Sequence, residues 1–251
     1  MSRRTNAMAN GVKNDAPANS PSEDKQKRIL QSTNTGHFSM IRALHLADII
    51  TLGNGFCGVM SIFSSLRYCI DTPTSGVLST LSPPAKTNLW LALSFMPFGL
   101  FFDFLDGRVA RWRRKTSLMG AQLDSLADLI SFGVSPAVAA FALGIRSPVD
   151  HFLLTFFVLC GLSRLARFNV TSEDVPHDES GKAKYFEGTP IPSSLGIAAW
   201  MAVWVSKGWL GDNVPFGVAG KGQTWEFHPV VLAFVLHGCA MVSKTLHVPK
   251  P

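Results

Sequence analysis

Charge is scarce in this chain. Only 16% of its 251 residues are Asp, Glu, Lys or Arg, against 47% apolar residues, and the mean hydropathy is +0.20. An ordinary soluble domain carries about 25% charge, so the balance points to a membrane protein. No apolar run of the secretory kind follows the basic N-terminus, so no cleavable signal is expected. Cys57, Cys69, Cys160 and Cys239 show no CxxC spacing and fall in or beside apolar runs, so they read as small packing residues rather than zinc ligands or disulfides. The net charge of +6 comes with no nucleic-acid recognition motif, and no nucleic-acid partner is expected. The chain has no internal repeat.

What the chain has in quantity is apolar sequence, broken by Gly, Pro and charge into six candidate spans. These are Leu44 to Cys69, Leu89 to Phe102, Ala121 to Leu143, Phe152 to Ala166, Ile191 to Val205 and Pro229 to Val242. Several fall short of the ~20 residues a bilayer demands. The second is expected to extend through Asp106, with its polar end shielded by protein. The predicted fold is all-α and polytopic, with about six transmembrane helices. Residues 1–30, rich in Asn, Ser, Lys and Pro, read as a disordered cytosolic tail, and residues 31–251 as one membrane-embedded domain. Gln31 to Arg42 is a candidate interfacial helix.

Lys and Arg collect in the N-terminal segment, between spans two and three (Arg108, Arg111, Arg113, Arg114, Lys115) and between spans four and five (Lys182, Lys184). By the positive-inside tendency, both termini and the loop after span two face the cytosol. The positive charge suits anionic lipid headgroups.

Acidic residues are few, yet four aspartates crowd into DFLDGRVARWRRKTSLMGAQLDSLAD, from Asp103 to Asp128. A carboxylate at membrane depth is costly and is normally retained only with a cation, a partner or a reaction to compensate it. With one helix over Leu91 to Asp106 and the next over Gly120 to Leu143, Asp103 and Asp106 stand at i, i+3 and Asp124 and Asp128 at i, i+4. Each pair then shares a helix face. Turned toward each other, the faces surround one small volume with oxygen ligands, which favours hard ions such as Mg2+ or Mn2+, two of them for four carboxylates. Around them, Gly107 and Gly120 leave room for a ligand to reach the backbone, Ala110 keeps a helix wall thin, and Arg111 offers a forked cation to phosphate oxygens. Such a site can bind a diphosphate and leave one carboxylate as a base.

The spacing Asp103-x2-Asp106-Gly107-x2-Ala110-Arg111-x8-Gly120-x3-Asp124-x3-Asp128 resembles the signature of the CDP-alcohol phosphotransferase family at every position. That resemblance implies transfer of a phosphatidyl-type group from a CDP-linked lipid to an alcohol, with release of CMP. It also implies that Asp103, Asp106, Asp124 and Asp128 ligate the metals, that Asp128 acts as base toward the acceptor hydroxyl, and that Gly107, Ala110, Arg111 and Gly120 surround the CDP moiety. In resembling enzymes the first span borders the nucleotide, which makes Asn54, in IITLGNGFCG, a further CDP contact; helix packing explains that Gly and Asn cluster as well.

Beyond the signature, LADLISFGVSPA, CGLSRLARFNVT, GKAKYFEGTPIPSSLG and MVSKTLHVPKP are similar to the fungal branch of this family that takes L-serine as acceptor and CDP-diacylglycerol as donor. Membership there implies an endoplasmic reticulum membrane, a cytosol-facing site and a homo-oligomer, a dimer or larger. Arg164 and Arg167 lie three apart on one helix side with Phe168 adjoining, and buried guanidinium groups need anions such as the serine carboxylate. These three are the serine candidates, with Asn169 a further amide. Pairing with Glu173, Asp174 or Glu187, or with lipid phosphate, explains the arginines equally. Inositol, glycerol phosphate or another alcohol stays open as acceptor, since all eight signature residues would be kept. His45 reads as an interfacial histidine near the substrate region, and Pro190 and Pro192 as a rigid entry to span five.

Overall fold

Serine, threonine, asparagine and glycine point inward from the first long helix while its large apolar side chains point out. The computed structural model describes residues 44–72, 83–113, 118–171, 185–245 and 247–249, so the expected tail and the helix over Gln31 to Arg42 lie outside the described residues. Helix α1 (Leu46–Asp71) buries Asp48, Thr51, Asn54, Gly58, Ser61 and Ser65 along one face. Leu52, Phe56, Phe63 and Ile70 are exposed on the other. A water-soluble helix has the reverse polarity; here the solvent is lipid, and small or polar residues let helices approach closely.

Helix α2 (Pro83–Arg113) packs along α1, with Ser61 Oγ donating to Ala92 O at 2.7 Å. Its 31 residues rise about 46 Å, well beyond the ~30 Å hydrocarbon layer. The helix therefore runs on past Asp106 to Arg113, whereas the sequence pattern alone ends it at Asp106.

The third span is one apolar stretch, Met119–Leu143, built from α3 (Leu118–Asp128), a π-helical segment (Leu129–Val134) and α4 (Ser135–Leu143). The π turn follows Asp128 directly. The Ser135 hydroxyl is shared between Ile130 O at 2.8 Å, within the widened turn, and Gly58 O at 2.9 Å on α1, which ties the turn to the first helix. Helix α5 (Pro148–Thr171) returns toward the aspartates.

A 3-10 turn (Ile191–Ser194) leads into α6 (Leu195–Lys207), which Gly208 ends in the left-handed region at φ 72°. A 3-10 turn (Pro229–Val231) then leads into α7 (Leu232–Val242). Strands β1 (Tyr185–Glu187) and β2 (His247–Pro249) pair antiparallel, a minor departure from an otherwise all-α chain.

Among the described residues, four helical stretches are long and apolar enough to cross a membrane, which makes the chain a polytopic membrane protein. The last two units are shorter. With 4 plus 13 residues the fifth rises about 28 Å, and with 3 plus 11 the sixth about 23 Å. The core between α2, α4, α5, α6 and α7 is apolar and centres on Met96, Phe132, Phe157, Met201, Trp204 and Phe234. Cys57 and Cys160 are buried, Cys69 is half-buried and Cys239 exposed, all as free thiols.

Candidate metal and phosphate site

Where α2 leaves the apolar layer and α3 enters it, Asp103, Asp106 and Asp124 each turn a carboxylate oxygen to a common point, all within 4.8 Å of one another. The i, i+3 pair on α2 thus meets the first aspartate of α3, as the helix-face argument expects. Asp128 stands one turn deeper, buried, within electrostatic reach of the other three. The predicted foursome is therefore three carboxylates at a rim and one in the floor.

The floor is built by α1. Asn54, fully buried, donates from Nδ2 to Asp128 Oδ1 at 3.0 Å, and Thr51 Oγ1 lies 2.5 Å from Asp106 Oδ2. Ser131 Oγ, on the π turn, donates to Asn54 O at 2.9 Å, tying the segment behind Asp128 to the helix whose amide holds that carboxylate. Close approach makes this possible: a Cβ on Gly58 would lie 2.6 Å from Ser131 Oγ, and one on Gly99 would lie 2.9 Å from Asn54 Oδ1.

Divalent cations suit these residues. Asp103 and Asp124 bring carboxylate oxygens within 4.8 Å of each other, and among the described residues Asp124 Oδ1 is buried without a hydrogen-bond partner and no Lys or Arg forms an ion pair with any of the four. Like charges gathered this way repel unless a cation enters. All the donors are hard oxygens, which select magnesium- or manganese-like ions.

Beside the rim, the Arg111 guanidinium folds over Gly107, with Nη1 3.6 Å from where a Cβ on that glycine would stand. Ala110, half-buried, lies on α2 with them, and Gly120, also half-buried, is on α3. Asn54, expected at the nucleotide, has its amide on Asp128.

The serine candidates separate. Arg164 is buried, lies within electrostatic reach of Asp128, and among the described residues its Nε has no hydrogen-bond partner. Arg167 is half-buried and donates from Nη1 to Val242 O at 3.3 Å, which links α5 to the end of α7, while Phe168 is 47% exposed. Asn169 accepts from Ser125 Oγ at 3.0 Å and donates to Gln122 Oε1 at 3.3 Å, docking α5 on α3. Glu173 and Asp174 lie outside the described residues. His45 N-caps α1, its backbone N–H donating to Asp48 Oδ2 at 2.7 Å.

Sequence reasoning missed Thr51 and Ser131 as supports, and Asp48 as a further buried carboxylate. The signal available was the spacing of polar and small residues at 48, 51, 54, 58, 61 and 65, which repeats every three or four positions in an apolar helix.

A membrane bundle with a carboxylate nest at one end, and glycine and arginine beside it, fits a class of lipid-handling, metal-using proteins. The CDP-alcohol phosphatidyltransferase family model matches residues 44–240, and the chain belongs to that family. It is 52% identical over 216 residues to the CDP-diacylglycerol–serine O-phosphatidyltransferase of Saccharomyces cerevisiae, covering 86% of this chain and 74% of the yeast protein. The protein of the same name from Bacillus subtilis is 34% identical over 59% of this chain and 70% of its own length. Archaetidylserine synthase from Methanothermobacter thermautotrophicus is 33% identical over 59% of this chain and 53% of its own.

Proposed function

We propose that this chain transfers the phosphatidyl group of CDP-diacylglycerol to the hydroxyl of L-serine, giving phosphatidylserine and CMP. The observation that carries this reading is the match to the yeast enzyme of that name across 86% of the chain, together with three carboxylates converging beside a buried fourth. The active end faces the cytosol, with endoplasmic reticulum as the membrane and a homo-oligomer as the working form; the basic residues around Arg108 and Arg111 support that orientation.

In this reading Asp103, Asp106, Asp124 and Asp128 hold two divalent ions, Mg2+ or Mn2+. When bound, such ions neutralise a diphosphate and make its phosphorus more electrophilic. Arg111 clasps phosphate oxygens while Gly107, Ala110 and Gly120 keep the walls thin enough for the CDP moiety. Asn54 serves that subsite from the floor, fixing Asp128 through Nδ2. Asp128 uses the carboxylate oxygen that Asn54 leaves open to take the proton from the serine hydroxyl. The serine oxygen bonds to the β-phosphorus as the bond to CMP breaks. Arg164, whose Nε has no hydrogen-bond partner among the described residues and which lies close to Asp128, receives the serine carboxylate; Arg167 and Phe168 complete that side of the cleft from the same helix.

The test is release of CMP by the purified protein with CDP-diacylglycerol and each of L-serine, inositol, glycerol 3-phosphate and choline. Serine is expected to be the acceptor and phosphatidylserine the product. Release with another alcohol and not with serine overturns the assignment.

A further inference from the structure

At the end of the bundle opposite the aspartates, α6 and α7 are joined by residues 208–228, and the geometry points to this connection being a cap seated in the bilayer interface rather than a loop standing in water. The first reason is depth. The end of α7 is level with Arg167 of α5, which donates to Val242 O. Its beginning is level with Asp150, to which His228 donates from its backbone N–H at 2.9 Å. Asp150 to Arg167 along α5 rises about 26 Å, and the 3-10 turn plus α7 about 23 Å. Both fall short of the ~30 Å hydrocarbon layer. The connection therefore starts at or below the plane where headgroups begin.

The second reason is how its backbone is satisfied. Ala219 and Phe227 exchange both backbone hydrogen bonds at 2.9 and 3.1 Å, Gly217 N–H donates to Val214 O at 3.1 Å, and Gln223 N–H to Gly220 O at 2.9 Å. Gly222 N–H donates to Glu226 Oε2 at 2.9 Å. Water would serve these groups equally well on a solvated loop, whereas near the apolar layer internal partners are required.

The third reason is what faces outward. Phe216 is 76% exposed and holds a positive φ of 67°, a strained conformation for a bulky residue that needs surrounding structure to maintain it. Trp225 and Trp209 are exposed as well. The Trp225 ring packs against Gly220, where a Cβ would come within 2.8 Å of it. Lys207 and Lys221 are exposed around these rings. Aromatic rings with flanking lysines match the headgroup level of a bilayer.

A buried clamp holds the cap in place. Asp150, fully buried at the start of α5, meets His228 Nδ1 at 2.6 Å and accepts from Ser147 N–H at 3.0 Å. The occupant of the aromatic face is the headgroup and upper acyl region of the leaflet at that end.

The experiment places a nitroxide by Phe216→Cys in a variant with the four native cysteines replaced, reconstituted in phosphatidylcholine and phosphatidylglycerol nanodiscs. A nitroxide free in the buffer and Leu236→Cys are the references, and CMP release serves as the check on folding. Collision with oxygen relative to a water-soluble nickel chelate is expected to put position 216 roughly 5–10 Å into the headgroup and acyl boundary, between the two references. Nickel accessibility at 216 that exceeds its oxygen accessibility, as at a water-exposed site, overturns the proposal, as does strong spin–spin broadening at 216 from a second copy. Should the cysteine-free protein fail to fold, Trp225 gives the same answer in the native chain. The emission lost on Trp225→Phe should be quenched by lipids brominated high on the acyl chain, and unquenched emission overturns the cap.

Discussion

Thr51 Oγ1 approaches Asp106 Oδ2 at 2.5 Å, joining residues 55 positions apart in sequence at the rim of the carboxylate cluster. A hydroxyl this close to a carboxylate fixes the direction of its lone pairs, and partners of this kind tune metal ligands. Thr51→Val keeps the shape and removes the donor. It is expected to raise the concentration of Mg2+ or Mn2+ needed for half-maximal CMP release by roughly 10-fold or more, while Thr51→Ser retains near-normal behaviour. Metal titrations of the three proteins check this.

Asp128 has one oxygen engaged by Asn54. Asp128→Asn should lower kcat by about 10²-fold or more while CDP-diacylglycerol still binds, measured by equilibrium binding of the lipid beside CMP release. Unchanged turnover removes the base assignment. Asn54→Leu leaves Asp128 without its donor and is expected to lower kcat with a smaller effect on the KM for the lipid.

Removal of divalent ions should stop turnover. Treatment with a chelator is expected to abolish CMP release, and excess Mg2+ or Mn2+ to restore it, whereas Ca2+ with its longer oxygen distances restores little. Full activity after exhaustive chelation, with the metal content measured, contradicts a metal role for Asp103, Asp106 and Asp124.

Arg164 and Arg167 share a helix side yet have different neighbours. Loss of a charged hydrogen bond costs about 1.5–3 kcal/mol, so Arg164→Gln should raise the KM for serine roughly 10- to 100-fold and leave that for CDP-diacylglycerol nearly unchanged. Arg167→Gln breaks the link to Val242 O, and its signature is expected to include a lowered melting temperature.

Gly58 is crowded by Ser131, with no room for a methyl group. Gly58→Ala should destabilise the protein by about 1–3 kcal/mol through overpacking, read as a lower melting temperature. It should also depress kcat, because Ser131 and the turn behind Asp128 must move.

Much of the site is legible in the order of residues alone. Asp103 and Asp106, and Asp124 and Asp128, lie at spacings that share a helix face, and their cost in an apolar segment demands compensation. The convergence of three carboxylates follows from that. The greater depth of Asp128 follows as well, since i, i+4 is one helical turn, but the π turn that begins right after it does not, because helical periodicity alone cannot foresee a widened turn. Likewise the i, i+3 spacing of Arg164 and Arg167 puts both on one side, while the neighbour each meets depends on where α7 ends.

By itself, the sequence determined the membrane setting, the helical spans, the acidic cluster and the family signature. Hydropathy and periodicity are local properties of the chain, and they constrain each helix and each face separately. Only the tertiary structure decided which residue of α1 meets which aspartate, which arginine has an unpartnered Nε among the described residues, and how deep the last two helical units reach. Those outcomes depend on the register between helices, set by glycine contacts such as Gly58 against Ser131 and by long-range bonds such as Asp150 to His228, which periodicity within one helix does not encode.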